Sequence, residues 1–107
     1  MKRLFIVLFT FLSITLCAQT RYYLFSYFVN NGQDGLHFAG STDGLRWEAF
    51  NDGKSYLTPV VGDDKLMRDP CIYHGTDGIF RMVWTSGWWD RIIGYASSSD
   101  LINWYDV

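Results

Sequence analysis

Ala39-Gly40-Ser41-Thr42-Asp43-Gly44-Leu45-Arg46-Trp47 returns further along the chain as Ala96-Ser97-Ser98-Ser99-Asp100-Leu101-Ile102-Asn103-Trp104. Ala39, Ser41, Asp43, Leu45 and Trp47 match Ala96, Ser98, Asp100, Ile102 and Trp104 in kind and spacing. An aromatic run precedes each copy, Tyr22-Tyr23-Leu24-Phe25-Ser26-Tyr27-Phe28 and Ile79-Phe80-Arg81-Met82-Val83-Trp84-Thr85. Short strands repeating with a period of 57 residues fit the pattern of propeller blades.

The repeated residues have structural work to do. An Asp side chain accepts backbone amides in a turn and tolerates unusual dihedrals. A Trp just past that turn covers the apolar edge of a blade. Asp43, Asp100, Trp47 and Trp104 are therefore read as parts of the scaffold. They resemble the Asp-box of sialidase propellers, with the Gly one place early in the first copy and missing from the second.

Working outward, residues 22–29 are apolar almost throughout, which predicts a strand buried on both faces. Asn30 to Gly35 is a turn cluster, and 36–41 returns as the second arm of a hairpin. A further strand is expected over 46–50, after the Asp43 turn. Residues 54–67, with Pro59, Gly62 and Asp63-Asp64, read as the crossing between blades. Asp69 to His74 opens the second blade as its inner strand. The strand at 79–85, the loop at 86–91 and the strand at 92–98 then repeat the plan of the first. The expected fold is all-β: about two blades of antiparallel strands, part of a five-bladed β-propeller, after a signal peptide.

That signal peptide is residues 1–18. Lys2 and Arg3 precede an apolar run, Leu4 to Leu16, that is short for a membrane span, and Cys17-Ala18 supplies a small-residue cleavage site. The expected protein is exported to the periplasm, the cell surface or the medium, with residues 19–107 as the folded part and no membrane span once the leader is removed. Removing Lys2 and Arg3 takes the basic residues from nine to seven against eleven acidic ones. There is no basic cluster, so nucleic acid is not an expected partner. Cys71 is then the one cysteine left, which rules out an internal disulfide. Beside Pro70 it reads as a small buried hydrophobe. His37 and His74 are isolated, with no spacing that suits a metal, so no metal or other cofactor is expected.

Two stretches carry chemistry. In Arg68-Asp69-Pro70, proline lacks an amide hydrogen and biases its predecessor toward extended geometry. Asp69 is thus expected extended at the mouth of an inner strand, facing a central funnel, with Arg68 positioning its charge. The same residues also suit a plain turn cap. In the loop Ser86-Gly87-Trp88-Trp89-Asp90-Arg91, neighbouring aromatic side chains point opposite ways, so one can pack while the other is presented. Trp88 and Trp89 offer faces for a sugar ring, and Asp90 offers a partner for hydroxyl groups. Alternatively both tryptophans cover a blade edge.

Taken together, these residues resemble glycoside hydrolase family 43, the five-bladed propeller glycosidases. The resemblance runs from Tyr22 to Trp104. It is strongest over Arg68 to Ile72, Phe80 to Thr85, and the Ile93-Gly94-Tyr95-Ala96-Ser97-Ser98-Ser99-Asp100-Leu101-Ile102-Asn103-Trp104 segment. It implies cleavage of arabinose-, xylose- or galactose-type linkages with inversion, on an oligo- or polysaccharide substrate. A carboxylate base would activate water, a carboxylic acid would protonate the leaving oxygen, and a third carboxylate would tune the acid. The family supplies both base and tuning residue from Asp-Pro motifs. Asp69-Pro70 is the single such motif here, so Asp69 stands for either role, with Arg68, Trp88, Trp89 and Asp90 as substrate-binding candidates. Glu48, the one glutamate, falls in an outer strand and has no counterpart among the acids. The chain is accordingly expected to be the amino-terminal part of a longer propeller and inactive alone. The other reading is a carbohydrate-binding propeller without catalysis.

Overall fold

The computed structural model describes residues 19–107; the expected signal peptide lies outside them. Six strands form two three-stranded antiparallel sheets. The first sheet holds β1 (Tyr23–Tyr27), β2 (His37–Ser41) and β3 (Glu48–Ala49), and the second β4 (Arg68–His74), β5 (Phe80–Thr85) and β6 (Ile93–Ser98), each in sequence order. One 3-10 turn, Asn51–Gly53, is the only helical element among the described residues. The all-β architecture of about two propeller blades is as the repeat implies.

The two halves are built to one register. Tyr23 pairs with Ser41 as Phe80 pairs with Ser98, which places β1 opposite β2 as β5 opposite β6. Each strand pair then runs into the same turn. Ser41 Oγ accepts the amides of Asp43 and Gly44 at 3.2 and 2.8 Å, and Asp43 Oδ1 accepts those of Leu45 and Arg46 at 2.8 and 2.9 Å. In the second copy Ser98 Oγ accepts the amides of Asp100 and Leu101 at 3.2 and 2.8 Å, and Asp100 Oδ1 those of Ile102 and Asn103 at 2.9 and 2.8 Å. The Ser-x-Asp pattern is thus a turn that satisfies four amides with two side chains. Its missing glycine has a physical answer: Leu101 takes φ +66° where Gly44 takes φ +76°.

The sheets stack face to face. Leu36 and Phe38 from the first half meet Met82, Trp84 and Ala96 of the second sheet, with Met67 from the segment that leads into β4, and all six are buried. Each large apolar side chain removed from water here contributes about 1.5–3 kcal/mol. Ser26 Oγ donates to the carbonyl of Pro70 at 3.0 Å, tying β1 to β4 across the interface. Gly94 lets the Trp84 indole lie directly on β6, at a place where any Cβ would collide with the ring.

Three expectations are corrected. β1 is not buried on both faces: it is a sheet edge, Tyr23 and Phe25 are exposed on the face turned away from the second sheet, and Leu24, on the Ser26 face, is exposed as well. The strand expected at 46–50 shortens to Glu48–Ala49, since the Asp43 turn and the 3-10 turn take its ends. Cys71 is exposed rather than buried, because it shares the uncovered face of the second sheet with Val83 and Tyr95.

Candidate functional site

One end of the two sheets gathers the sequence candidates. The loop after β1, the start of β4 and the loop after β5 meet there through the backbone. The amide of Met67 donates to the carbonyl of Gly32 at 2.9 Å, and the amide of Leu66 to that of Ser86 at 3.0 Å. Gly32 sits at φ +88°, and a side chain there would strike the Met67 carbonyl. The chain therefore enters β4 pinned on both sides, with Arg68 and Asp69 as its first two residues.

β4 then bulges. Arg68 pairs with Thr85 and Cys71 with Val83, so Asp69 and Pro70 together oppose Trp84 alone. Pro70 has no amide to give the ladder, and the extra residue absorbs that gap. Asp69 is consequently not extended: it adopts φ +50°, a left-handed conformation that aspartate tolerates better than most residues. Its carboxylate is exposed and carries no hydrogen bond or ion pair among the described residues. An unengaged carboxylate on a bulge at a strand mouth is free to meet a ligand.

Arg68 does not sit on Asp69. Its Nη1 donates to Asn31 Oδ1 at 2.8 Å, and its guanidinium lies 4.0 Å from the centre of the Trp88 ring and 5.4 Å from that of Phe28. The expectation that Arg68 directly positions the Asp69 charge is replaced by a different role. Arg68 joins the β1 loop to the Trp88 loop by a hydrogen bond and cation–π contact.

The tryptophan pair divides as the strand geometry suggests, although neither ring is core. Trp88 gives one face to Arg68, and Trp89 is 93% exposed. Asp90 turns inward: the buried Ser86 hydroxyl lies 2.8 Å from Asp90 Oδ2 and 3.1 Å from the Ile92 carbonyl, which closes the loop. Asp90 thus shapes the loop that presents Trp88 and Trp89. Asp64 Oδ2 approaches from the blade crossing, and both carboxylates converge on Gly87.

The structure accordingly brings Asp69, Arg68 and Trp88 to one rim, sets Trp89 outward beside them and places Asp90 beneath. It adds Asn31, Phe28 and Gly32, which in the sequence belong to an aromatic strand and a turn cluster. The Asn30-Asn31-Gly32 turn signal was readable; the reach of Asn31 to Arg68 across 37 residues was not. Glu48 lies on β3, at the far edge of its sheet. His37 is buried against Asp34 at 2.9 Å, and His74 stacks on Phe80 with centroids 4.1 Å apart, so both histidines are part of the framework.

A family model described as a probable glycosyl hydrolase domain, related to glycoside hydrolase family 43, matches residues 19–107. No curated protein and no solved structure matches the chain. No helix among the described residues is long and apolar enough to cross a membrane.

Proposed function

The chain belongs to this glycosyl hydrolase-related family, and from that premise we propose that it supplies part of the site of an exported glycosidase. Its substrate is an oligo- or polysaccharide with arabinose-, xylose- or galactose-type linkages, cleaved with inversion. The observation that carries the reading is Asp69: a carboxylate without partners, set on a bulge beside an arginine clamped between aromatic rings. A carboxylate so placed serves as the base that activates water, or as the residue that tunes the acid. The free face of Trp88 and the exposed Trp89 offer apolar stacking surfaces to a sugar ring. The acid comes from a further part of a longer polypeptide, because Glu48 stands away from this rim.

The test uses the longer polypeptide that carries this domain with its remaining blades. Asp69→Asn keeps the side chain's shape and removes its charge. If Asp69 is the base, kcat falls by about three orders of magnitude or more. If it tunes the acid, kcat falls and the acidic limb of the pH–rate profile moves. Unfolding midpoints change little, since the carboxylate supports no other residue. Wild-type turnover on every arabinoside, xyloside and galactoside that the parent cleaves would remove Asp69 from the site. A second reading, carbohydrate binding without catalysis, draws on the strong exposure of Trp88 and Trp89. It replaces the first if the parent cleaves nothing and its glycan binding is lost in Trp88→Ala or Trp89→Ala.

A further inference from the structure

Arg68 is held by groups that carry no charge. Its Nη1 donates to Asn31 Oδ1 at 2.8 Å, and its guanidinium lies over the Trp88 ring, 4.0 Å from the centre, with the Phe28 ring at 5.4 Å. No carboxylate forms an ion pair with it among the described residues. A guanidinium is planar, so it stacks through its face and donates through its edge. Stacking alone leaves that plane free to spin over the ring. The bond to Asn31 removes that freedom.

Asn31 is itself fixed. Its amide donates to Gln33 Oε1 at 3.1 Å, and the carbonyl of the next residue, Gly32, accepts the Met67 amide at 2.9 Å. Trp88 has less to hold it. It lies in the loop beyond Thr85 and Ile93, the last ladder pair of β5 and β6. The Ser86–Asp90 bond closes the backbone of that loop without engaging the ring. The ring is steadied instead by Arg68, which arrives from β4. An aromatic side chain on a loop that must be ordered when a ligand binds lowers the affinity for that ligand.

We propose that Asn31 is a positioning residue for the sugar-stacking ring of the site. It orients Arg68, and Arg68 fixes Trp88 by one face so that the other face is ready for a sugar. The inference rests on the carbohydrate reading of this rim and adds to it a residue that acts through Arg68 rather than on the substrate. The ordering is complete before the sugar arrives, so it favours ground state and transition state alike. Its loss therefore falls on KM rather than on kcat.

The experiment uses the longer polypeptide with its remaining blades, and arabino-, xylo- and galacto-oligosaccharides as probes. Where a probe is bound but not cleaved, its Kd stands in for KM. Asn31→Ala removes the acceptor, and Asn31 is not among the residues of positive φ, so alanine is unstrained there. KM should rise about threefold to tenfold, with the loss on KM and the pH–rate profile in place. Asn31→Asp keeps an acceptor oxygen for Arg68 and should recover most of that loss. Trp88→Ala should raise KM by itself, and adding Asn31→Ala to it should change nothing more, because the ring through which Asn31 acts is gone. Arg68→Lys keeps the charge without the planar fork and should show the same dependence on Trp88. Unfolding midpoints check that each variant is folded. An effect of Asn31→Ala that is equal with and without Trp88 overturns the proposal, because it makes Asn31 a part of the loop scaffold alone. So does an unchanged KM in Asn31→Ala, or a loss confined to kcat, in a parent that cleaves a probe; the glycosidase reading survives either result. A parent that neither cleaves nor binds any probe overturns both.

Discussion

Gly94 carries a constraint that its sequence neighbours do not announce. A Cβ built there would lie 1.8 Å from Trp84 Cε2, inside the indole that fills the centre of the molecule. The ring is rigid and buried, so it cannot turn aside as the tip of a lysine would. Gly94→Ala is therefore expected to destabilise the domain by about 1–3 kcal/mol or more, read as a lower urea midpoint. At the same scale, Asp100 sets an acid limit. Its carboxyl is pushed down from 3.8 to about 2, first by the Asn103 amide, then by the Asn103 side chain and the Ile102 amide. Asp43 is lowered in the same direction by the amides of Arg46 and Leu45. A carboxylate that releases its proton more readily in the folded chain stabilises fully above about pH 4, its unfolded range, and that contribution fades as pH falls toward 2. Thermal unfolding between those values should show a fall in Tm that is smaller in Asp100→Asn than in the parent.

β4 is the element on which the candidate site depends, and its position is set from outside. Gly32 supplies both a left-handed backbone and clearance for the Met67 carbonyl, which is 2.3 Å from the place of a Cβ. Gly32→Ala should cost about 2 kcal/mol or more, from the strained φ and the collision with backbone that cannot yield. Gly53→Ala is the matched control: Gly53 also has positive φ, at +73°, yet nothing lies within 4 Å of its missing Cβ. That variant should lose only about 1 kcal/mol. Equal losses at the two positions would mean that the Gly32–Met67 approach does not hold β4 in place. The bulge explains why the site could be read only in part. Pro70 marked the irregularity in the strand, but the proline rule pointed to an extended Asp69, which instead takes φ +50°. The ladder overrides that local preference, because β4 must keep Cys71 in register with Val83 while fitting one extra residue.

Across the whole molecule, the core belongs to neither sheet alone. Met82 from the second sheet is buried with Leu36 and Phe38 from the first. Met82→Ala should therefore cost about 2–5 kcal/mol and loosen both sheets together. Hydrogen exchange can localise the effect: the amides of β2 should lose protection along with those of β5 and β6. Faster exchange confined to the second sheet would mean that the sheets are separate folding units.

The repeat was legible in the residues alone, and with it the succession of strands, the first hairpin and the two Ser-Asp turns. Those features depend on neighbours within a few residues, where side-chain chemistry acts directly on the backbone. The sequence also placed Asp69, Arg68, Trp88 and Trp89 as candidates, because their residue types and local spacing are unusual for a core. What these residues touch follows from the packing of the two halves. Arg68 goes to Asn31 and Trp88 rather than to Asp69, and Asp90 turns in to Ser86, because loops distant in sequence meet at one rim. That packing also decided burial. An apolar strand such as β1, or a lone Cys71, is buried only if another surface arrives to cover it, and that depends on the packing of whole sheets rather than on the residues' own hydrophobicity.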